Sequence, residues 1–194
     1  MKHLIIYAHP NPQSYNHSIL DVVEKTYMEL GHEVVIRDLY ALNYNPVLSG
    51  KDFEAIYSGS ILPDTKIEQD YILWADVITF IHPIWWASYP AILKGYFDRT
   101  LTYGFAYAMS PNGIERLLQS KKVITINTHG QPKEVYENFK MYEGFNRTMD
   151  WGVFEFCGMD VLMHHYLPSV LSVTDDVRKE LLAEVESKLK AILK

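Results

Sequence analysis

Three short stretches of the 194-residue chain gather polar and aromatic groups at spacings that could do chemistry. The first is His9-Pro10-Asn11-Pro12-Gln13-Ser14-Tyr15-Asn16, between a short apolar run and an amphipathic segment. At such a strand-to-helix junction, free backbone N–H groups and the positive end of the helix dipole attract an anion. Ser14 and Asn16 could add side-chain donors, and His9 could donate to a phosphate oxygen. Taken alone, Ser14 or Asn16 reads more simply as a helix cap. The loop is neither G-x-G-x-x-G nor G-x-x-x-x-G-K-[ST], so dinucleotide and P-loop readings lose their main support. The second stretch, His82-Pro83-Ile84-Trp85-Trp86-Ala87-Ser88-Tyr89-Pro90, sets three large aromatics just after an apolar run. They could wall a planar ring, with loop N–H groups meeting its polar edge. They could equally pack against the core or a second subunit. The third, Asn127-Thr128-His129-Gly130, ends in a glycine that permits close approach of backbone to ligand.

Stepwise hydrophobic patterning shows what must position these stretches. Short apolar runs at 3–8, 33–38, 77–81, 122–127 and 159–166 read as strands, several buried on both faces. Helical spacing occupies 16–30, 64–75 and 90–101, a part of 145–157, and 174–193 behind a Thr174 cap. Residues 39–63 read as a long excursion with one short helix near Phe53–Tyr57, and 103–120 as a second long loop. Strands alternating with helices imply an α/β domain over 1–194. The expected architecture is three-layered and flavodoxin-like, a doubly wound five-stranded parallel sheet in the order 2-1-3-4-5. Ligands of such sheets sit beyond the carboxyl ends of the strands, where the strand order reverses. That point lies between the first and third strands, and all three stretches fall on its rim.

Composition excludes several classes. With 18 basic and 24 acidic residues the net charge is −6, which argues against nucleic acid as partner. The one cysteine, Cys157, rules out an internal disulfide and reads as a small buried residue. His164 and His165 are adjacent on a strand, face opposite ways and are poorly placed to share a metal. No metal is expected. The opening residues read as strand and not as signal peptide, no apolar run is long enough to span a membrane, and the expected compartment is the cytoplasm. Aromatics make up 13% of the chain, an excess that suits a flat ligand, a large interface, or both.

At these residues the chain resembles the flavodoxin-fold NAD(P)H:quinone oxidoreductases, the group that includes DT-diaphorase. The likeness covers roughly 3–167. The family's first loop, H-x(4)-S-[FY]-N, is matched by His9, Ser14, Tyr15 and Asn16. Its P-[LI]-x-W followed by P-x-x-L-K-x-[WY]-[FI]-[DE]-[RK] is matched by Pro83-Ile84-Trp85-Trp86 and by Pro90 to Arg99. Tyr103 to Tyr107 and Phe156-Cys157-Gly158 carry weaker matches. The family's T-T-G-G turn is here Asn127-Thr128-His129-Gly130, a departure that puts a histidine near the ring. A family tyrosine that relays charge is matched by Tyr136 with a shift of one residue, while its partner histidine falls near Tyr142.

The resemblance implies a flavin, FMN or FAD, held by His9, Ser14, Tyr15, Asn16, Pro83, Ile84, Trp85, Trp86, Asn127, Thr128, His129 and Gly130. It implies NAD(P)H as hydride donor, a quinone or related acceptor, ping-pong turnover, and Tyr136 and His129 as catalytic candidates. It implies a homodimer. Alternative readings are a flavodoxin-type electron carrier, a regulatory flavoprotein that contacts a membrane transporter, and a reductase of azo or nitro compounds.

Overall fold

The computed structural model describes residues 1–193. Five parallel strands form its centre: β1 (Lys2–Tyr7), β2 (Glu33–Asp38), β3 (Val77–Pro83), β6 (Lys122–Thr128) and β7 (Asp160–Leu167), in the order β2-β1-β3-β6-β7. This is the expected 2-1-3-4-5 arrangement once the five are counted alone. All seven residues of β3 are buried, as are all but the first of β1 and β6. That explains why these strands read as unbroken apolar runs and not as alternating ones.

Helices cover both faces. On one, α1 (Tyr15–Glu29) and α7 (Asp175–Ile192) pack Ile19, Val23, Tyr27, Val185 and Leu189 against Ile5, Ile81 and Ile126. On the other, α3 (Pro63–Trp74) and α4 (Ala91–Thr100) bring Ile72, Leu93, Tyr96 and Phe97 onto Leu4, Ile78 and Phe80. Ser14 caps α1 through the His17 N–H, and Thr174 caps α7 through the Val177 N–H. Gly31, at φ +74°, supplies the left-handed residue that ends α1.

Two stretches differ from the sequence expectation. Within 103–120 lies an antiparallel hairpin, β4 (Tyr107–Ser110) and β5 (Gly113–Arg116). Four-residue strands are too short to show a period, and Pro111-Asn112 is its whole connection. Residues 133–157 fold as α5 (Lys133–Asn138), α6 (Met141–Phe145), a π-helical segment Asn146–Phe154 and a 3₁₀ turn Glu155–Cys157. The expected single helix is thus a wider coil, whose period differs from 3.6.

The excursion before α3 includes α2 (Gly50–Tyr57) and is tied down by one cation. Arg99 of α4 is buried and donates to Asp52 (2.8 Å), Asp64 (2.7 Å) and the Asn45 carbonyl (2.9 Å). Against the upward push of burial, the Ser49 hydroxyl and N–H and then the Arg99 guanidinium hold the Asp52 carboxyl below its usual range. Next to it, a Cβ on Gly95 would collide with the Pro46 carbonyl, so only glycine lets the excursion lie on α4. Among the described residues no helix is long and apolar enough to cross a membrane.

Arg99→Met leaves Asp52 buried without its cation, and is expected to cost about 3–5 kcal/mol by urea denaturation. His3 gives a pH signature. Its ring is buried, lies 4.7 Å from that of His32 in a parallel stack, and has no partner for either nitrogen. Burial, then His32, lowers its pKa to about 4. Between the unfolded value of about 6.5 and the folded value, only the unfolded chain takes the proton. Stability therefore falls as pH drops through that window. His3→Phe should flatten the fall in urea midpoint between pH 7 and pH 5; an unchanged slope would refute the assignment.

Candidate functional site

The carboxyl ends of β1, β3 and β6 open into a cavity of about 500 Å³. Its lining contains His9, Ser14, Tyr15 and Asn16 from the first loop, Pro83, Ile84, Trp85 and Trp86 from the second, and Thr128, His129 and Gly130 from the third. The three stretches are laced together. The Ile84 N–H donates to the Thr128 carbonyl (2.8 Å), and the Asn16 amide donates to the Thr128 hydroxyl (2.9 Å).

One part of the cavity lining suits an anion. The N–H groups of Tyr15 and Asn16, in the first turn of α1, have no acceptor among the described residues. Ser14 lies beside them, 3.1 Å from the Tyr7 hydroxyl. It therefore caps α1 and lines the cavity at once. The Asn16 Oδ1 is buried with no partner, an acceptor left over after its amide has bonded Thr128. Tyr15 reaches away, donating to the Arg178 carbonyl (2.8 Å), and burial pushes its phenol up to about 12. His9 accepts from the Asn11 N–H (3.1 Å), its ring is 5.8 Å from that of Trp85, and burial lowers its pKa.

Another part is apolar. Trp85 and Ser88 exchange both backbone hydrogen bonds, closing a two-residue turn on Trp86 and Ala87. Both turn residues have positive φ, +50° and +55°, and Trp86 is fully exposed. Turns of this kind favour Asn and Gly, so a Trp-Ala pair stores strain of about 1–2 kcal/mol per residue. That strain holds an indole at the lip of the cavity.

His129 is buried, and burial lowers its pKa to about 4, so the ring is neutral at neutral pH. Its Nε2 lies 2.9 Å from the Tyr142 hydroxyl, and Nδ1 has no partner. The Tyr136 ring stacks on it at 3.9 Å and 3°. Tyr136 thus stands behind His129 and does not line the cavity. Asn127 does not line it either: its side chain is buried between His82 and His164. Three residues that do line it escaped sequence reading. Asn11 lies inside the first loop, and Val170 and Leu171 form a fourth loop after β7. The last two are apolar and carry no chemical signature. Their position follows only from β7 ending beside β6.

Ala87→Gly should relieve part of the turn strain and raise the unfolding free energy by up to about 1 kcal/mol. A loss of stability in urea titration would show that the turn is not strained.

Known proteins share this fold. A family model described as "Flavodoxin-like fold" matches residues 1–192. A Haemophilus influenzae protein described as an uncharacterized NAD(P)H oxidoreductase is 38% identical over 100% of this chain and 98% of its own. The solved NAD(P)H:quinone oxidoreductase of Methanothermobacter marburgensis superposes with a TM-score of 0.88 at 30% identity, covering 96% of each chain. An FMN-dependent NADH-azoreductase from Bacillus anthracis, solved with FMN, has a TM-score of 0.76 over the whole of both chains. Its 19% identity makes that a likeness of fold. With the sheet order, the rim loops and these relatives in agreement, the chain belongs to the flavodoxin-like fold family, among its NAD(P)H oxidoreductase members.

Proposed function

We propose that the chain is a flavin-dependent NAD(P)H:quinone oxidoreductase with ping-pong turnover. The observation that carries this reading is the division of the cavity. The first loop and the first turn of α1 bring free N–H groups and a hydroxyl, and the second loop brings Ile84, Trp85 and Trp86. A phosphate suits the first and a planar ring with polar edges the second. The unpartnered Asn16 Oδ1 needs a ligand donor such as a chain hydroxyl. These residues fit FMN or the FMN half of FAD.

When bound, a flavin supplies a ring nitrogen that accepts hydride and returns it. The protein's own groups bind and orient. The first turn of α1 and Ser14 hold the phosphate, and the Trp85–Ser88 turn keeps water from the ring. His129 is held neutral by burial. With the Tyr142 hydroxyl donating to Nε2, its proton sits on the buried Nδ1, near the Gln131 backbone. Tyr136, stacked on His129, keeps that imidazole in place. The proposal extends to a cytoplasmic homodimer of one-domain subunits, with a quinone as the acceptor.

The test is an anaerobic absorbance spectrum before and after NADPH or NADH. Oxidised-flavin bands that bleach at once support the reading, and heat release of the flavin separates FMN from FAD. Bands that do not bleach favour an electron carrier. No bands after incubation with FMN and FAD would refute the site. Asn16→Ala removes both the anchor to Thr128 and the free acceptor. It should weaken FMN binding about tenfold, near 1.4 kcal/mol, by fluorescence titration.

A further inference from the structure

Behind the rim lies a hydrogen-bonded chain of four buried side chains that the cavity does not use. His82 is at the carboxyl end of β3, Asn127 in β6, His164 in β7 and Asp150 in the π-helical segment. The Asn127 Nδ2 is 2.9 Å from His82 Nε2 and 3.2 Å from the His82 carbonyl. A carbonyl can only accept, so it is the amide nitrogen that faces His82. The Asn127 Oδ1 therefore faces His164 Nε2, 2.5 Å away. On its other side, His164 Nδ1 meets the Asp150 carboxylate oxygens at 2.8 and 3.0 Å. Both nitrogens of His164 thus point at acceptors, and only an imidazolium has two N–H groups to give.

The surroundings agree. The His82 Nδ1 donates to the Pro83 carbonyl at 3.0 Å and its Nε2 accepts from Asn127, so that ring is neutral. The Tyr166 hydroxyl donates to Asn146 (2.7 Å), and its oxygen sits 3.1 Å from His164 Nδ1 as a further acceptor. The Tyr89 hydroxyl is buried, and its phenol is pushed up by that burial and by Asp150. His165, on the opposite face, lies 3.8 Å from Glu184 of α7. His164 and Asp150 are therefore the two titratable groups in direct contact at the centre of this chain.

We propose that His164 is a positioning residue, a buried imidazolium that with Asp150 fixes the rim of the candidate site. Its Nε2–H holds the Asn127 oxygen, and the Asn127 nitrogen holds His82. These two residues stand immediately before the Pro83–Trp86 wall and the Thr128–Gly130 turn. Without the Nε2 proton, two acceptors oppose each other at His164. Turning the amide over only moves the conflict to the His82 carbonyl. With Asp150 ionised and the Tyr166 hydroxyl given to Asn146, the chain is complete only when His164 carries both protons. The site it positions is the one read above as a flavin site, but the protonation and the positioning are properties of the ligand-free protein.

The test starts on ligand-free protein at pH 7.5, labelled with ¹⁵N-histidine and ¹⁵N-tryptophan. Long-range ¹H–¹⁵N spectra should show His164 with both nitrogens protonated and His82 with one. A single protonated nitrogen on His164 overturns the proposal. Asp150→Asn should make His164 neutral and move the indole cross-peaks of Trp85 and Trp86. Unmoved peaks with a neutral His164 would also overturn it. Where Asp150→Asn does not fold, His164→Gln serves, since its amide can still donate to Asn127. That variant should keep the indole positions, whereas His164→Leu should lose them; equal shifts in both refute the hydrogen-bond role. FMN affinity should fall about tenfold in His164→Leu and less than threefold in His164→Gln. If the wild type binds no FMN, the flavin reading fails, and the histidine and indole spectra still decide this one.

Discussion

The site rests on how far β3 runs past its neighbour. β1 pairs with β3 only as far as Tyr7 opposite Ile81, whereas β3 and β6 stay paired through Pro83 opposite Thr128. The chain after β1 therefore leaves the sheet earlier than the chain after β3 or β6. That step opens the cavity, and the helix dipole of α1 ends up pointing into it. Parallel pairing at the buried centre of the sheet has no room to slip, because a one-residue shift would send side chains fitted to one helix layer into the other. The level of each loop is thereby set by the core.

A second constraint is the polarity at the carboxyl end of an otherwise apolar sheet. Asn16, His82, Asn127, Thr128 and His129 are all buried. Such groups cost free energy unless bonded. Most are bonded to one another, which laces strand ends and loops into a single rigid piece. The exceptions, Asn16 Oδ1 and His129 Nδ1, belong to residues that line the cavity. Burial without a hydrogen-bond partner costs such an atom free energy, so these two are the least settled polar groups of the rim.

Much of this was legible in the sequence because it lies in runs. Apolar stretches such as Leu4–Ala8 gave the strands, and their alternation with helical spacing gave the topology. The three rim stretches could be placed together because the fold class says where loops meet. What could not be read depends on contacts between distant residues. Asn127 looked like a rim residue but turns toward His164, 37 positions on. Tyr136 turns its ring to His129 and not to the cavity. His164 and His165 do face opposite sides of the sheet, as adjacency on a strand requires, yet no pattern announced Asp150 as the partner of the first. The hairpin at 107–116 and the π-helical segment fell outside the two periods that sequence reading can detect.

The cavity draws its lining from residues as far apart as His9 and Leu171. During synthesis the chain emerges at about 5–20 residues per second. The first loop therefore waits roughly ten seconds or more for the fourth. No shorter piece of the chain can assemble the complete pocket, and β1 itself must wait for β3, some 75 residues later, before it is enclosed on both edges. The full cavity is consequently a late product, formed only after Leu171 has been made. A complete lining therefore requires both that β7 has joined β6 and that the loop behind it has been made.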